Sequence, residues 1–270
     1  MTQTADHAAA TAAEFDALLE VMRRLRDPEG GCPWDLEQTH LSLRNTLVEE
    51  AYEALEAIDS GETGAMVEEL GDLMFQTVFH AQIGADGGRF TMRDVLARLT
   101  EKLVRRHPHV FADAAASSAR EALGQWEALK AEERQAKGEG ARSMLDGVPR
   151  AMPALAYAQA AADRAARAGF AFESDEAALD KLGEELAEVR EAPTAQRREE
   201  EVGDVLFMAV VSAARMGVDA EAALRGANRR FAERFRLVEE AARGRGERLA
   251  DMEAGEKRAL WEAAKAAARP

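Results

Sequence analysis

The sequence has few of the residues that build sheets, disulfides or membrane spans. Of 270 residues, 7 are proline and 6% are aromatic, and runs of β-branched residues are scarce. Ala, Leu, Glu and Arg dominate instead, so intrinsic propensity points to helix almost throughout and to an all-α protein. A single cysteine, Cys32, excludes an intramolecular disulfide framework and fits a reducing compartment; its "GCPW" setting reads as a turn or packing position. The longest apolar stretch, "VLFMAVVSAA" from Val205, is about half of the roughly 20 residues a spanning helix needs, and the start lacks the basic and apolar regions of a secretory signal. A cytoplasmic protein with no membrane partner is expected. Net basic charge is also missing. At a formal charge of -15 the chain has no broad basic face for nucleic acid or an anionic membrane, whereas a polyanionic small molecule stays accessible if a metal intervenes.

What the chain does contain, it contains twice. Glu50 and Glu53 recur 135 residues later as Glu185 and Glu188, and Trp126 and Glu127 recur at the same offset as Trp261 and Glu262. Glu69 and Asp72 recur as Glu201 and Asp204 at an offset of 132, each time followed by an apolar run, "LMFQTVF" or "VLFMAVV". The offset is half the chain, so two domains of one fold are expected. Gly, Pro and charge between the halves read as a linker. The expected organisation is a loose tail over 1–14, a first helical domain over 15–137, a linker over 138–150 and a second helical domain over 151–270.

Stops in the first half predict helices near Asp16–Arg26, Leu41–Ile58, Ala65–His80 and Met92–Arg106. The short turn at 59–64 makes the second and third antiparallel neighbours, and a four-helix type of bundle follows. Residues three apart share a helical face, so Glu50 with Glu53, and Glu69 with Asp72, can converge between those helices. Four carboxylates at one point are unfavourable without a cation. Oxygen ligands suit Mg²⁺, Mn²⁺ or Ca²⁺ better than zinc, and incomplete coordination by protein leaves room for water and phosphate. One Glu-x-x-Glu on a helix is usually a solvated face. Here the repetition, a glycine (Gly71, Gly203) just before each Asp, and the adjoining apolar runs all favour a site.

Cations follow each cluster. Lys102 and Arg106, and Arg230 and Arg234, are pairs four apart on one face, suited to phosphate oxygens; surface charge decoration is the plainer reading of either pair alone. Other chemistries fit poorly: "EQTH" at Glu37 is not repeated, and no P-loop, zinc spacing or nucleophile elbow is present. The histidines His80, His107 and His109 suit core or capping roles.

Together with "LRDPEGGCPWDLEQTH" and "RRHPHVFAD", these clusters resemble the MazG family of nucleoside triphosphate pyrophosphohydrolases, over nearly the whole chain from Phe15 to Trp261. The resemblance implies tandem MazG-like helical bundles, Mg²⁺ as cofactor with Mn²⁺ as a substitute, nucleoside triphosphates as substrates, and a homodimer. Glu185, Glu188, Glu201 and Asp204 match metal ligands in the second half, as do Glu50, Glu53, Glu69 and Asp72 in the first. Lys181, Arg230, Arg234 and Trp261 match nucleotide-contacting positions, with Arg230 where the family commonly has lysine. Either Glu185 or Glu188 would be the general base. Trp261 has two roles open to it, stacking on a base or anchoring the last helix. Lys181 stands one turn before Glu185, whereas the matching place before Glu50 is Thr46, so the second half is expected to carry most turnover. The rival readings are a silent helical dimerisation module and a divalent-metal-binding protein without turnover.

Overall fold

The computed structural model describes residues 2–136 and 143–267, all helical or irregular, with no strand among them. Contacts divide the chain into two units, Met1–Gly140 and Ala141–Pro270, the tandem helical architecture expected of the duplication.

The first unit contains α1 (Thr2–Leu25), α2 (Pro33–Glu37), α3 (Arg44–Ser60), α4 (Thr63–Asp86), α5 (Met92–Arg106), α6 (Pro108–Phe111) and α7 (Ala119–Ala136). The expected tail over 1–14 is helical from Thr2. Alanine-rich sequence forms helix without packing, so the missing apolar stripe marks a segment that does not pack rather than one that does not coil. Side chains from Asp6 to Glu14 are exposed, and packing begins at Phe15, which joins Leu18, Leu19 and Phe75 around a core of Met22, Leu43, Val78, Phe79 and Ile83.

Arg26 ties three elements together. Its side chain is buried and donates to Asp86 on α4 at 2.6 Å and to the backbone carbonyls of Asp35 and Gln38, while its guanidinium lies 5.6 Å from the centre of the Phe79 ring. Gly61 adopts a left-handed φ of 73° that ends α3 and turns the chain straight into α4, giving the antiparallel pair the site requires. A capping box between Thr91 and Asp94 starts α5, which has the bounds read from the sequence.

Glu133 on α7 accepts from Arg106 at 2.6 Å and from Arg105 at 2.8 Å. The Arg106 hydrogen bonds, chiefly, hold its carboxyl down to about 2, against an ordinary value of 4.5. A lowered folded-state value means the contribution is complete above the unfolded value and is lost as pH falls through the folded one. Docking of α7 on α5 is therefore expected to weaken as pH falls from about 4.5 toward 2. Glu133→Gln should weaken α7 protection at neutral pH and flatten that acid dependence; hydrogen exchange of α7 amides against pH would measure both.

The second unit opens with a 3-10 turn, Met144–Gly147, followed by α8 (Ala154–Arg167), α9 (Asp175–Glu191), α10 (Ala195–Arg215), α11 (Ala220–Gly244), a 3-10 turn at Leu249–Asp251, and α12 (Ala254–Ala267). Part of the expected linker, 138–142, lies outside the described residues. The rest is folded: Arg164 donates to the carbonyls of Met144 and Gly147, and Val148 is buried. Gly and Pro there shape a turn that the apolar Val148 fastens down. Ser174 and Thr194 cap α9 and α10, which pack along each other, and Arg215 joins their far ends by donating to Asp175 at 3.1 Å and to the Phe172 carbonyl at 2.6 Å. Val238, Ala242, Met252, Leu260 and Ala264 form the core between α11 and α12.

Candidate metal and phosphate site

Each antiparallel pair presents its carboxylates across the helix interface. Oxygens of Glu185, Glu201 and Asp204 lie within 4.8 Å of one another, and so do those of Glu50, Glu69 and Asp72. Three of each expected four converge this tightly. Glu188 and Glu53, one turn along from Glu185 and Glu50, are exposed members of the same faces, and their charges are felt by the rest.

The two clusters differ in burial and in compensation. Glu185 and Glu201 are buried, whereas Glu50 and Glu69 are half-buried; Asp72 and Asp204 are exposed. Burial raises Glu201 above the ordinary carboxyl range; Arg197 opposes that shift, and Glu188 and Asp204 add to it. In the first cluster, burial raises Glu50, and the charges of Asp72, Glu53 and Glu69 push the same way. Glu69 is raised by burial and then by Glu53 and Asp72. Carboxyls whose charged form is disfavoured by their neighbours gain most from a divalent cation.

One atom tests the fit. Glu201 Oε1 pairs with Arg197 at 2.7 Å, while Glu201 Oε2 is buried with no hydrogen-bond partner. A buried carboxylate oxygen left without a donor is costly, and a hard cation bound also by Glu185 and Asp204 would satisfy it. The donor set is all oxygen and fits Mg²⁺ or Mn²⁺. A methyl group at Gly71 or Gly203 would meet nothing within 4 Å, and nothing in the structure explains either glycine.

Lys181 reaches Glu185 at 3.0 Å and Glu184 at 3.1 Å, which raises its pKa, the Glu185 hydrogen bond first. Arg197 does the same on α10, pairing with Glu201 at 2.7 Å and Glu200 at 2.8 Å. Sequence reasoning passed over Arg197, though the signal was present: it stands four residues before Glu201, just as Lys181 stands four before Glu185. The matching positions in the first half are Ala65 and Thr46, which carry no charge.

The other expected substrate contacts lie further along. Arg230 is exposed on α11, and Arg234 has a buried Nε with no partner. Trp261 on α12 is half-buried, packs on the second core and lies 5.3 Å from the Phe231 ring, with Phe231 stacked on Phe235. In the first unit, Lys102 is exposed on α5, while Arg106 is held by Glu133 and lies 5.4 Å from the Trp126 ring. Arg106 thus fastens α7 to α5. His40 and His80 stack with their Nδ1 atoms 2.9 Å apart, and His107 Nδ1 contacts the Leu103 carbonyl, so these rings have packing and capping partners.

The profile of the MazG nucleotide pyrophosphohydrolase domain matches residues 38–111, and that of phosphoribosyl-ATP pyrophosphohydrolase matches residues 158–231. The nucleoside triphosphate pyrophosphohydrolase of Escherichia coli K12 is 43% identical over 257 residues, covering 93% of this chain and 97% of its own. The chain belongs to the MazG family. A second MazG relative, the nucleoside triphosphate pyrophosphohydrolase/pyrophosphatase of Thermotoga maritima, is 43% identical over 251 residues, 93% of this chain and 95% of its own. The nucleoside triphosphate pyrophosphohydrolase of Mycobacterium tuberculosis is 46% identical over 139 residues, 51% of this chain and 41% of its own. Each matched segment encloses one carboxylate cluster of this MazG chain; the second segment also holds Lys181, Arg197 and Arg230 and stops short of Arg234 and Trp261.

Proposed function

We infer that the chain hydrolyses nucleoside triphosphates to the monophosphate and pyrophosphate, as a Mg²⁺-dependent enzyme of nucleotide-pool housekeeping in the cytoplasm. The observation that carries the reading is the second cluster: three converging carboxylates, one with an orphaned buried oxygen, and two cations at its rim. Glu185, Glu201 and Asp204 would hold the metal with Glu188 beside them. A bound Mg²⁺, or Mn²⁺ in its place, supplies neutralisation of phosphate charge and a water of lowered pKa. Glu188, exposed and outside the tight triad, takes the proton of the attacking water, since Glu185 is committed to the metal with Glu201 and Asp204. The water oxygen bonds to phosphorus as the bond to the bridging oxygen breaks, and pyrophosphate leaves with that electron pair. Lys181, Arg230 and Arg234 are assigned to phosphate oxygens, and Trp261 to the nucleoside end.

The first cluster is assigned to metal binding without appreciable turnover, because Thr46 and Ala65 leave it no rim cation at the matching positions. Large apolar side chains remain exposed along the paired helices, among them Ile58 (53%), Leu70 (54%) and Leu206 (54%), which supports a homodimer that covers them. Light scattering is expected to give about twice the 29.4 kDa chain mass. The activity is tested by anion-exchange chromatography of a dNTP reaction with Mg²⁺. Monophosphate and pyrophosphate are the expected first products, and EDTA abolishes their formation. Diphosphate and orthophosphate as first products would reject the reading.

A further inference from the structure

Lys181 and Arg197 share a geometry that phosphate binding alone does not require. Each is bidentate, with one contact inside the cluster and one outside it. Lys181 joins Glu185 to Glu184, and Arg197 joins Glu201 to Glu200. The inner partners are buried, with side chains 10% and 4% exposed, while the outer partners are 64% and 48% exposed. Both outer carboxylates have counterparts in the first half, Glu49 and Glu68, whereas neither cation does.

Resting on the function proposed above, we propose that Lys181 and Arg197 are resident counter-ions of the second cluster, so that a divalent cation enters together with the triphosphate rather than ahead of it. In the empty site they neutralise the two buried carboxylates that the metal needs. A dication approaching alone meets two positive charges and must displace them into solvent. With the triphosphate present, the same side chains leave Glu185 and Glu201, stay tethered to Glu184 and Glu200, and gain phosphate oxygens as new partners. Their exposure, 37% for Lys181 and 54% for Arg197, leaves them free to move. Metal and nucleotide binding are then positively coupled at this site, each raising the affinity for the other by the same factor. The first cluster, with Thr46 and Ala65, lacks the device and takes metal without nucleotide.

The test counts bound Mn²⁺ by electron paramagnetic resonance of the free ion, on the full-length protein with the first cluster silenced by Glu69→Gln and Asp72→Asn. Without nucleotide, Mn²⁺ should bind weakly; an α,β-imido triphosphate analogue should tighten it at least about tenfold, the range usual for coupled sites. Adding Lys181→Ala and Arg197→Ala should tighten Mn²⁺ without nucleotide by about three- to tenfold, because removing a competing rim charge is a modest effect. It should also weaken the analogue and erase the coupling. Lys181→Arg with Arg197→Lys should retain the coupling, and the single alanine variants should show part of the change. Circular-dichroism melts confirm which variants are folded. Unchanged or weaker Mn²⁺ binding in the folded alanine variants without nucleotide would overturn the counter-ion role while leaving the enzymatic reading intact. No Mn²⁺ at this cluster in any variant, with or without analogue, would overturn both.

Discussion

Glu188→Gln is expected to lower kcat by at least about a hundredfold, because it removes both the proton acceptor for the attacking water and a negative charge beside the metal ligands. Glutamine keeps the size and the exposed position of the side chain, so the fold should be unaffected. KM should change little, since Glu188 lies outside the Glu185–Glu201–Asp204 triad and pairs with neither Lys181 nor Arg197. The matching Glu53→Gln should matter far less. Its cluster is equally crowded, but Thr46 and Ala65 stand where the second domain has its two rim cations. Steady-state kinetics on the two variants separates the halves. Equal losses would show two working sites, and the reverse order would assign catalysis to the first domain.

Gly31→Ala is expected to destabilise the first domain by about 2 to 3 kcal/mol, the upper range for overpacking a site that cannot relax. A β-carbon at Gly31 would collide with the Leu25 carbonyl oxygen and would stand 2.6 Å from the Asp27 carbonyl oxygen and 2.8 Å from the Asp27 nitrogen. These are backbone atoms and cannot swing aside. They also close the loop: Gly31 and Cys32 donate to the Asp27 and Leu25 carbonyls at 2.8 Å each. The neighbouring Gly30 has nothing within 4 Å of its added methyl, so Gly30→Ala should fall within about 0.5 kcal/mol of the parent. Calorimetry of both variants provides the contrast. A Gly31→Ala melting profile matching that of Gly30→Ala would show that the loop accommodates the methyl.

Punctuation and periodicity were strong guides to this chain. Gly61 and the Thr91 cap mark helix ends by local chemistry, and α5 has the bounds its pattern predicts. The start of α1 was invisible because its first residues make helix by propensity alone, with no buried face to reveal it. The facing of the two carboxylate pairs in each half was legible because spacing of three and an intervening turn put them on facing helix surfaces, but spacing did not reveal that Glu53 and Glu188 stay outside the tight groups. The degree of burial was not, since spacing is the same in both halves while Glu185 and Glu201 are covered and Glu50 and Glu69 only partly so. Arg106 illustrates the limit for cations. Its place on α5 follows from sequence, but its partner Glu133 lies 27 residues away on a helix whose docking no local pattern specifies.

The most direct test is diffraction from crystals grown with Mn²⁺ and the α,β-imido triphosphate analogue, using the anomalous signal of the metal. The account predicts a Mn²⁺ peak bounded by Glu185, Glu201 and Asp204, with phosphate oxygens completing its coordination and Lys181 and Arg197 turned toward them. Analogue bound in the second domain with no metal among these three carboxylates, or metal and analogue found together only at Glu50, Glu69 and Asp72, would contradict it.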